Sequence, residues 1–95
     1  MSEYLRLEPV LDLKAAAPLR AALMEQRGRP IELDATSVQR LGGLCLQVLI
    51  AARRAWNHDG QPMAINPRSE AFNQAVRMFG AAAHFEEVTM DGGVS

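Results

Sequence analysis

The segment that most constrains the fold of this chain is 31–56. A short apolar run at 30–33 precedes a polar turn at 34–37, and an apolar-rich segment of helical length begins just after the glycine pair at 42–43. This order predicts a buried strand, a loop and a helix. Such a unit places the loop and the start of the helix at one end of a sheet, where side chains are presented to a partner.

Apolar periodicity predicts similar elements on either side of this segment. Leu5 and Leu7 alternate with Arg6, as in a strand that covers a core on one face. The predicted strands are 4–7, 10–11, 30–34 and 63–65, and the predicted helices are 15–26, 44–57 and 69–79. Pro18 is predicted to lie in the first turn of helix 15–26, and Ser69 is predicted to cap helix 69–79. The core face of helix 69–79 is predicted to carry Phe72, Ala75, Val76 and Phe79. The pattern therefore predicts an α/β fold with a mixed sheet of about four strands and helices mainly on one face.

Length and composition favour one ordinary globular domain over 1–95, with a core from about 4 to 85 and an acidic tail at 86–95. Apolar residues make up 48% and charged residues 22% of the chain, and the net charge is −1, which gives no support for nucleic-acid binding. No apolar run approaches the roughly 18 residues of a spanning helix, and the N-terminus lacks a signal-peptide pattern. We therefore expect no membrane insertion and a cytoplasmic location.

The sequence contains no recognisable catalytic or metal-binding pattern. His58 and His84 have no second histidine, cysteine or carboxylate at a ligand-like spacing, and the single cysteine, Cys45, falls on the apolar side of its predicted helix. No nucleophile elbow or phosphate-binding loop is present. We predict a non-enzyme with no metal and no cofactor.

The turn and the following helix resemble the STAS domain, the fold of anti-anti-sigma factors, and the resemblance extends from residue 4 to about 85. It rests on an apolar strand ending in Asp, followed by a hydroxyl residue and spaced apolar and small residues: Asp34, Thr36, Val38, Leu41, Gly42, Gly43, Leu44, Leu46 and Leu49. In the family's usual motif an Asp and then a Ser or Thr stand just before the helix, and a partner kinase phosphorylates the hydroxyl. Alignment places Gly42 at the Asp and Gly43 at the hydroxyl. The resemblance therefore implies a domain without a phospho-acceptor at Gly43, which binds its partner constitutively; Thr36 and Ser37 carry hydroxyls outside the motif position.

A helical wheel predicts which face of segment 44–57 meets a partner. Leu44, Cys45 and Trp56 fall in a broad apolar arc, whereas Leu46 and Ile50 fall among polar residues and resemble the apolar centre of an interface. The alternative is that the helix is rotated or covered by another segment, so that both are core. The predicted partner-binding residues are Asp34, Thr36, Gly42, Gly43, Leu46, Gln47, Ile50, Arg53 and Arg54.

Two of these positions have a further interpretation. Asp34 either satisfies N–H groups in an Asx turn or contacts the partner directly. The glycine pair at 42–43 is predicted to let the backbone adopt conformations that other residues avoid, and to leave no side chain at the N-terminus of the helix. Exposed N–H groups there could bind an anion, although a glycine pair alone is a weak phosphate signal.

Within the STAS family, the stretch 41–47 looks most like small stand-alone proteins associated with chemotaxis histidine kinases. That resemblance implies binding to the kinase and tuning of phosphate flow in a two-component pathway. Two alternatives use the same surface. One is an anti-anti-sigma factor that binds an anti-sigma kinase, and the other is the STAS subunit of a phospholipid-transporting ABC complex.

Overall fold

The structure is a computed structural model that describes residues 3–85. Five strands alternate with three helices: β1 (Glu3–Arg6), β2 (Val10–Leu11), α1 (Ala16–Met24), β3 (Ile31–Ala35), β4 (Arg40–Leu41), α2 (Gly43–His58), β5 (Met63–Arg68) and α3 (Glu70–Met78). Two short 3-10 helices precede α1 and follow α3, at Leu13–Ala15 and Ala82–Phe85. The predicted acidic tail at 86–95 lies outside the described residues.

The strands form two parallel sheets. β3 lies between β1 and β5 and runs parallel to both, with Leu33 opposite Leu5 on one side and Ile65 on the other. β2 pairs with β4 in a separate two-stranded sheet. The predicted α/β class is confirmed, and the expected four strands become five because β4 forms inside a predicted loop. A two-residue strand is too short to show a period in the sequence.

The three-stranded sheet buries one face and leaves the other open. Ile31, Leu33 and Ala35 of β3 are at most 1% exposed and belong to the same core as buried side chains of all three helices. Tyr4 and Glu32, which are neighbours in the parallel register, are exposed. This alternation is the pattern of a sheet with helices mainly on one face.

Local signals set the helix ends. α1 begins at Ala16, so Pro18 lies in its first turn, where an absent N–H removes no helical hydrogen bond. Ser69 caps α3, because its hydroxyl oxygen accepts from the N–H of Phe72 at 3.0 Å. Gly80 then ends the α3 region with a φ of 69°, a left-handed conformation that favours glycine.

Candidate protein-interaction surface

Asp34 lies at the carboxyl end of β3 and fixes the turn that leads towards α2. Its side chain is buried, and its Oδ1 accepts a hydrogen bond from the backbone N–H of Thr36 at 2.9 Å. The Tyr4 hydroxyl on β1 donates to Oδ2, and Arg6 Nε lies 3.7 Å from that oxygen. Asp34 therefore forms the Asx turn that was one of its two interpretations and also joins β1 to β3.

Hydrogen bonding keeps this carboxyl group ionised. Bonds from the Thr36 side chain, the Tyr4 hydroxyl and the Thr36 backbone lower the pKa of Asp34 to about 2, against an opposing effect of desolvation. The same hydrogen bond raises the pKa of Tyr4. Because Asp34 is 5% exposed, a large direct contact with a partner is disfavoured. Thr36 is exposed, and its role in partner binding stays a prediction.

The start of α2 does not need the special backbone freedom predicted for its glycine pair, so that prediction is wrong. Gly42 is the N-cap residue with φ −87° and ψ 168°, an extended conformation that any residue adopts. A Cβ atom added to Gly42 would lie 3.4 Å from the carbonyl oxygen of Leu11, and one added to Gly43 would lie 3.6 Å from Cε1 of Phe79. Because Gly43 has no side chain, the N-terminus of α2 is open beside the Phe79 ring.

Residue Leu46 belongs to the core, and the prediction that it faces a partner is wrong. Its side chain is 3% exposed, whereas Leu44, which the wheel assigned to the core, is 49% exposed. Ile50 is half-buried and packs against the core. The reason is that the segment following α3 packs beside this face of α2, and a helical wheel does not include such a neighbour.

A shallow cleft lies between the first turns of α2 and the segment after α3. Its volume is about 490 Å³. Its lining includes Gly43, Leu44, Gln47, Ile50, Phe79 and His84, and we call it the Phe79 cleft. Phe79 is 55% exposed, so its predicted place in the core is wrong. Phe79 is the C-cap residue of α3, and its N–H still donates to the carbonyl oxygen of Ala75 at 3.0 Å, so it keeps the helical spacing of Phe72 and Val76 but lies where the core no longer covers that face.

The structure brings some of the predicted partner-binding residues together and separates others. Gly43, Gln47 and Ile50 line the Phe79 cleft. Arg54 is exposed two turns beyond Gln47 on the same side of α2, whereas Arg53 is half-buried. Asp34 and Thr36 are not among the lining residues of the cleft. Phe79 was missed because helical spacing places it on the core face, and only the packing of the other elements leaves that position exposed.

Other chemistry in the described chain is sparse. Within residues 3–85, no group of three or more His, Cys, Asp or Glu side chains is arranged to hold a metal ion. Cys45 is buried, its Sγ donates to the carbonyl oxygen of Asp12 at 3.2 Å, and burial raises the pKa of its thiol. None of the helices in this part of the chain is long and apolar enough to cross a membrane.

The parallel sheet and the three helices packed against it define a small α/β domain. The chain belongs to the STAS family: the family model described as "Mlab, STAS domain" matches residues 2–88. A comparison with curated proteins finds no significant match. STAS domains are in general non-catalytic modules that act through protein–protein interactions.

Proposed function

We propose that this protein is a non-enzymatic regulator that binds a chemotaxis histidine kinase and tunes phosphate flow to or from its response regulator. The observation that supports this proposal is the exposed apolar pair Leu44 and Phe79 beside Gly43. Gly43 lies at the N-terminus of α2, at the position where the family's motif usually carries a hydroxyl. The choice of a chemotaxis kinase comes from the resemblance of segment 41–47. We place this interaction in the cytoplasm.

The Phe79 cleft has the composition of a binding surface. Leu44 and Phe79 are about half exposed, and burying such apolar area gains roughly 25 cal/mol per Å². Gln47 lines the cleft, and Arg54 lies farther along the same side of α2. An apolar centre with a polar rim is the usual arrangement of a protein interface.

Binding at this surface is expected to be constitutive. Gly43 has no side chain to accept a phosphate, so the usual reset by phosphorylation has no target at that position. Thr36 and Ser37 lie in the turn after β3 and are not among the lining residues of the Phe79 cleft. We therefore propose a regulator whose activity follows its abundance and not its own phosphorylation.

Substitution of Gly43 by Asp is expected to abolish kinase binding without unfolding the domain. A Cβ atom has room at this position, and a carboxylate in the first turn of a helix interacts favourably with the helix dipole, by about 0.3 to 1 kcal/mol. The same charge in the apolar centre of an interface is unfavourable because it must be desolvated. The matched control is Gly43→Ala, which we expect to fold and bind like the wild type.

The test measures two quantities with the purified histidine kinase and response regulator: the Kd of the complex, and the rate of phosphate transfer with and without the protein. Wild type and Gly43→Ala should change the rate, and Gly43→Asp should not. Equal binding by both variants would remove the Phe79 cleft from the interface. If native capture instead recovers an anti-sigma kinase or an ABC ATPase, the function moves to that alternative.

A further inference from the structure

The charges of the two packed helices α1 and α2 are all positive. Their segments contain Arg20, Arg53 and Arg54 and no Asp or Glu, although the chain as a whole has 11 acidic residues and a net charge of −1. The carboxylates lie on strands, turns, α3 and the tail. Glu25 and Asp59 are the C-cap residues of the two helices, so the uniform positive charge is confined to the helix bodies, where Arg20 and Arg54 are exposed. This part of the helical face favours an acidic partner.

A groove of about 370 Å³ runs between these two helices. Its lining includes Arg20 and Met24 from α1, and Gln47, Val48 and Ala51 from α2. Met24 is 37% exposed, Val48 is half-buried and Ala51 is exposed, so apolar surface is accessible at the base and the rims of the groove. Gln47 also lines the Phe79 cleft, so the two depressions lie on either side of this residue on the exposed ridge of α2.

We propose that this α1–α2 groove receives an acidic amphipathic helix of the protein partner. Apolar side chains of that helix would pack on Met24, Val48 and Ala51, and its carboxylates would face Arg20 and Arg54. The inference rests on the proposed function for its choice of a protein partner, and it adds the chemistry by which that partner is recognised. Helix-in-groove binding uses apolar anchors spaced three or four residues apart, and the groove lining covers about one and a half turns of α2, from Gln47 to Ala52.

The shape of this surface favours a helix over an anionic membrane. Apart from Met24, which is 37% exposed, the apolar side chains of the groove are buried, half-buried or small, and they line a concavity instead of projecting from it. Interfacial membrane binding requires a helix whose apolar face inserts into the headgroup region. Where α2 borders the groove it exposes Gln47, Ala51 and Arg54, and none of these three is a large apolar side chain suited to insertion.

The experiment uses two helical peptides of about 17 residues with identical leucines at positions i, i+4, i+7 and i+11. One carries Glu at its remaining charged positions and the other carries Lys. Each is titrated into the full-length protein at low salt, and binding is measured by fluorescence anisotropy and by amide shifts of Met24, Val48 and Ala51. We expect the Glu peptide to bind at least about tenfold more tightly than the Lys peptide.

Charge reversal supplies the matched variants. Arg20→Glu, in the groove, should weaken the Glu peptide at least about tenfold and strengthen the Lys peptide. Arg77→Glu changes the net charge equally but lies on α3 outside both depressions, so it should change neither Kd by more than about twofold. Circular dichroism of both variants checks that they fold.

Several results would overturn the inference. Equal binding of the Glu and Lys peptides would mean that charge does not select the occupant, and equal weakening by both substitutions would mean that the groove is not the site. Binding to phosphatidylglycerol vesicles without binding to the Glu peptide would assign the face to a membrane. If the kinase binds and responds to Gly43→Asp but not to Arg20→Glu, the proposed function stands and the groove proposal fails. If the Glu peptide binds as expected and no histidine kinase binds, the groove proposal stands and the proposed function fails.

Discussion

At the scale of single residues, Asp34 shows how one buried side chain fixes both a turn and the pairing of two strands. It is the single buried charged side chain among residues 3–85. Its carboxylate holds the Thr36 N–H in the turn after β3 and receives the Tyr4 hydroxyl from β1, 30 residues earlier. Burying a charge is unfavourable unless hydrogen bonds compensate it, and here the bonds also link the edge strand to the central strand. These contacts position the turn that leads from β3 towards α2.

The lowered pKa of Asp34 predicts a specific loss of stability in acid. The carboxyl has an ordinary pKa of 3.8 and a folded-state pKa of about 2, so the unfolded chain binds the proton first as the pH falls. The stabilisation from Asp34 is therefore complete above about pH 4 and is lost as the pH drops towards 2. We expect Asp34→Asn to remove this part of the pH dependence of the free energy of unfolding.

Urea titrations between pH 2 and 7 measure this effect. The matched control is Glu32→Gln, an exposed carboxylate on the same strand, which should keep the wild-type slope between pH 4 and 2. If Asp34→Asn and the wild type lose stability in parallel over that range, the hydrogen bonds to Asp34 do not stabilise the folded state.

At the scale of elements, α2 shows the limit of a helical wheel. The apolar residues of this helix extend over more than one face, so periodicity alone leaves its rotation open. Contacts with α1 and with the segment after α3 decide the rotation, bury Leu46 and leave Leu44 exposed. The exposed ridge that results carries Gln47, Ala51 and Arg54 between two depressions.

The rotation of α2 predicts opposite results for two leucines two residues apart. Leu46→Ala should lower the free energy of unfolding by about 2 to 5 kcal/mol, because it removes buried apolar contacts and leaves a cavity. Leu44→Ala should change it by less than about 1 kcal/mol, since that side chain is about half exposed. Urea denaturation of both variants measures the difference. Equal losses would mean that the helix is rotated differently.

At the scale of the whole molecule, Trp56 joins the helical layer to the sheet. Its side chain is fully buried, and Nε1 donates to the backbone oxygen of Arg29, just before β3, at 2.7 Å. Close by, Arg27 forms a two-bond ion pair with Asp59 at the end of α2, with distances of 2.8 and 3.0 Å. The carboxyl end of α2 is thereby tied to the turn between α1 and β3.

Because Trp56 is the single tryptophan and lies in the core, its fluorescence should report global unfolding. We expect the urea transitions followed by fluorescence and by far-UV circular dichroism to coincide. Trp56→Phe should lower the free energy of unfolding by about 1 to 3 kcal/mol, since the Arg29 carbonyl loses its donor. The exposed substitution Phe79→Leu is the control and should have a smaller effect. If the fluorescence and circular-dichroism transitions of the wild type do not coincide, the helical layer and the sheet unfold independently.

Local patterns were sufficient for much of this protein. The α/β class, the order of the main elements, the place of Pro18 in α1, the Ser69 cap and the burial of Trp56 all follow from periodicity and capping, which act between residues close in sequence. The motif that begins at Asp34 was also sufficient to indicate the STAS family, to which the chain belongs.

Tertiary structure decided the site. The burial of Leu46, the exposure of Phe79 and the pairing of β2 with β4 each depend on segments that are distant in the chain. The hydrogen bond from Tyr4 to Asp34 likewise joins residues that are distant in the sequence. A sequence pattern shows how much apolar surface an element must bury, but the neighbour that covers it is set by how all the elements pack together. The packing therefore determines which part of α2 and its surroundings stays exposed, and this is the surface that we propose for partner binding.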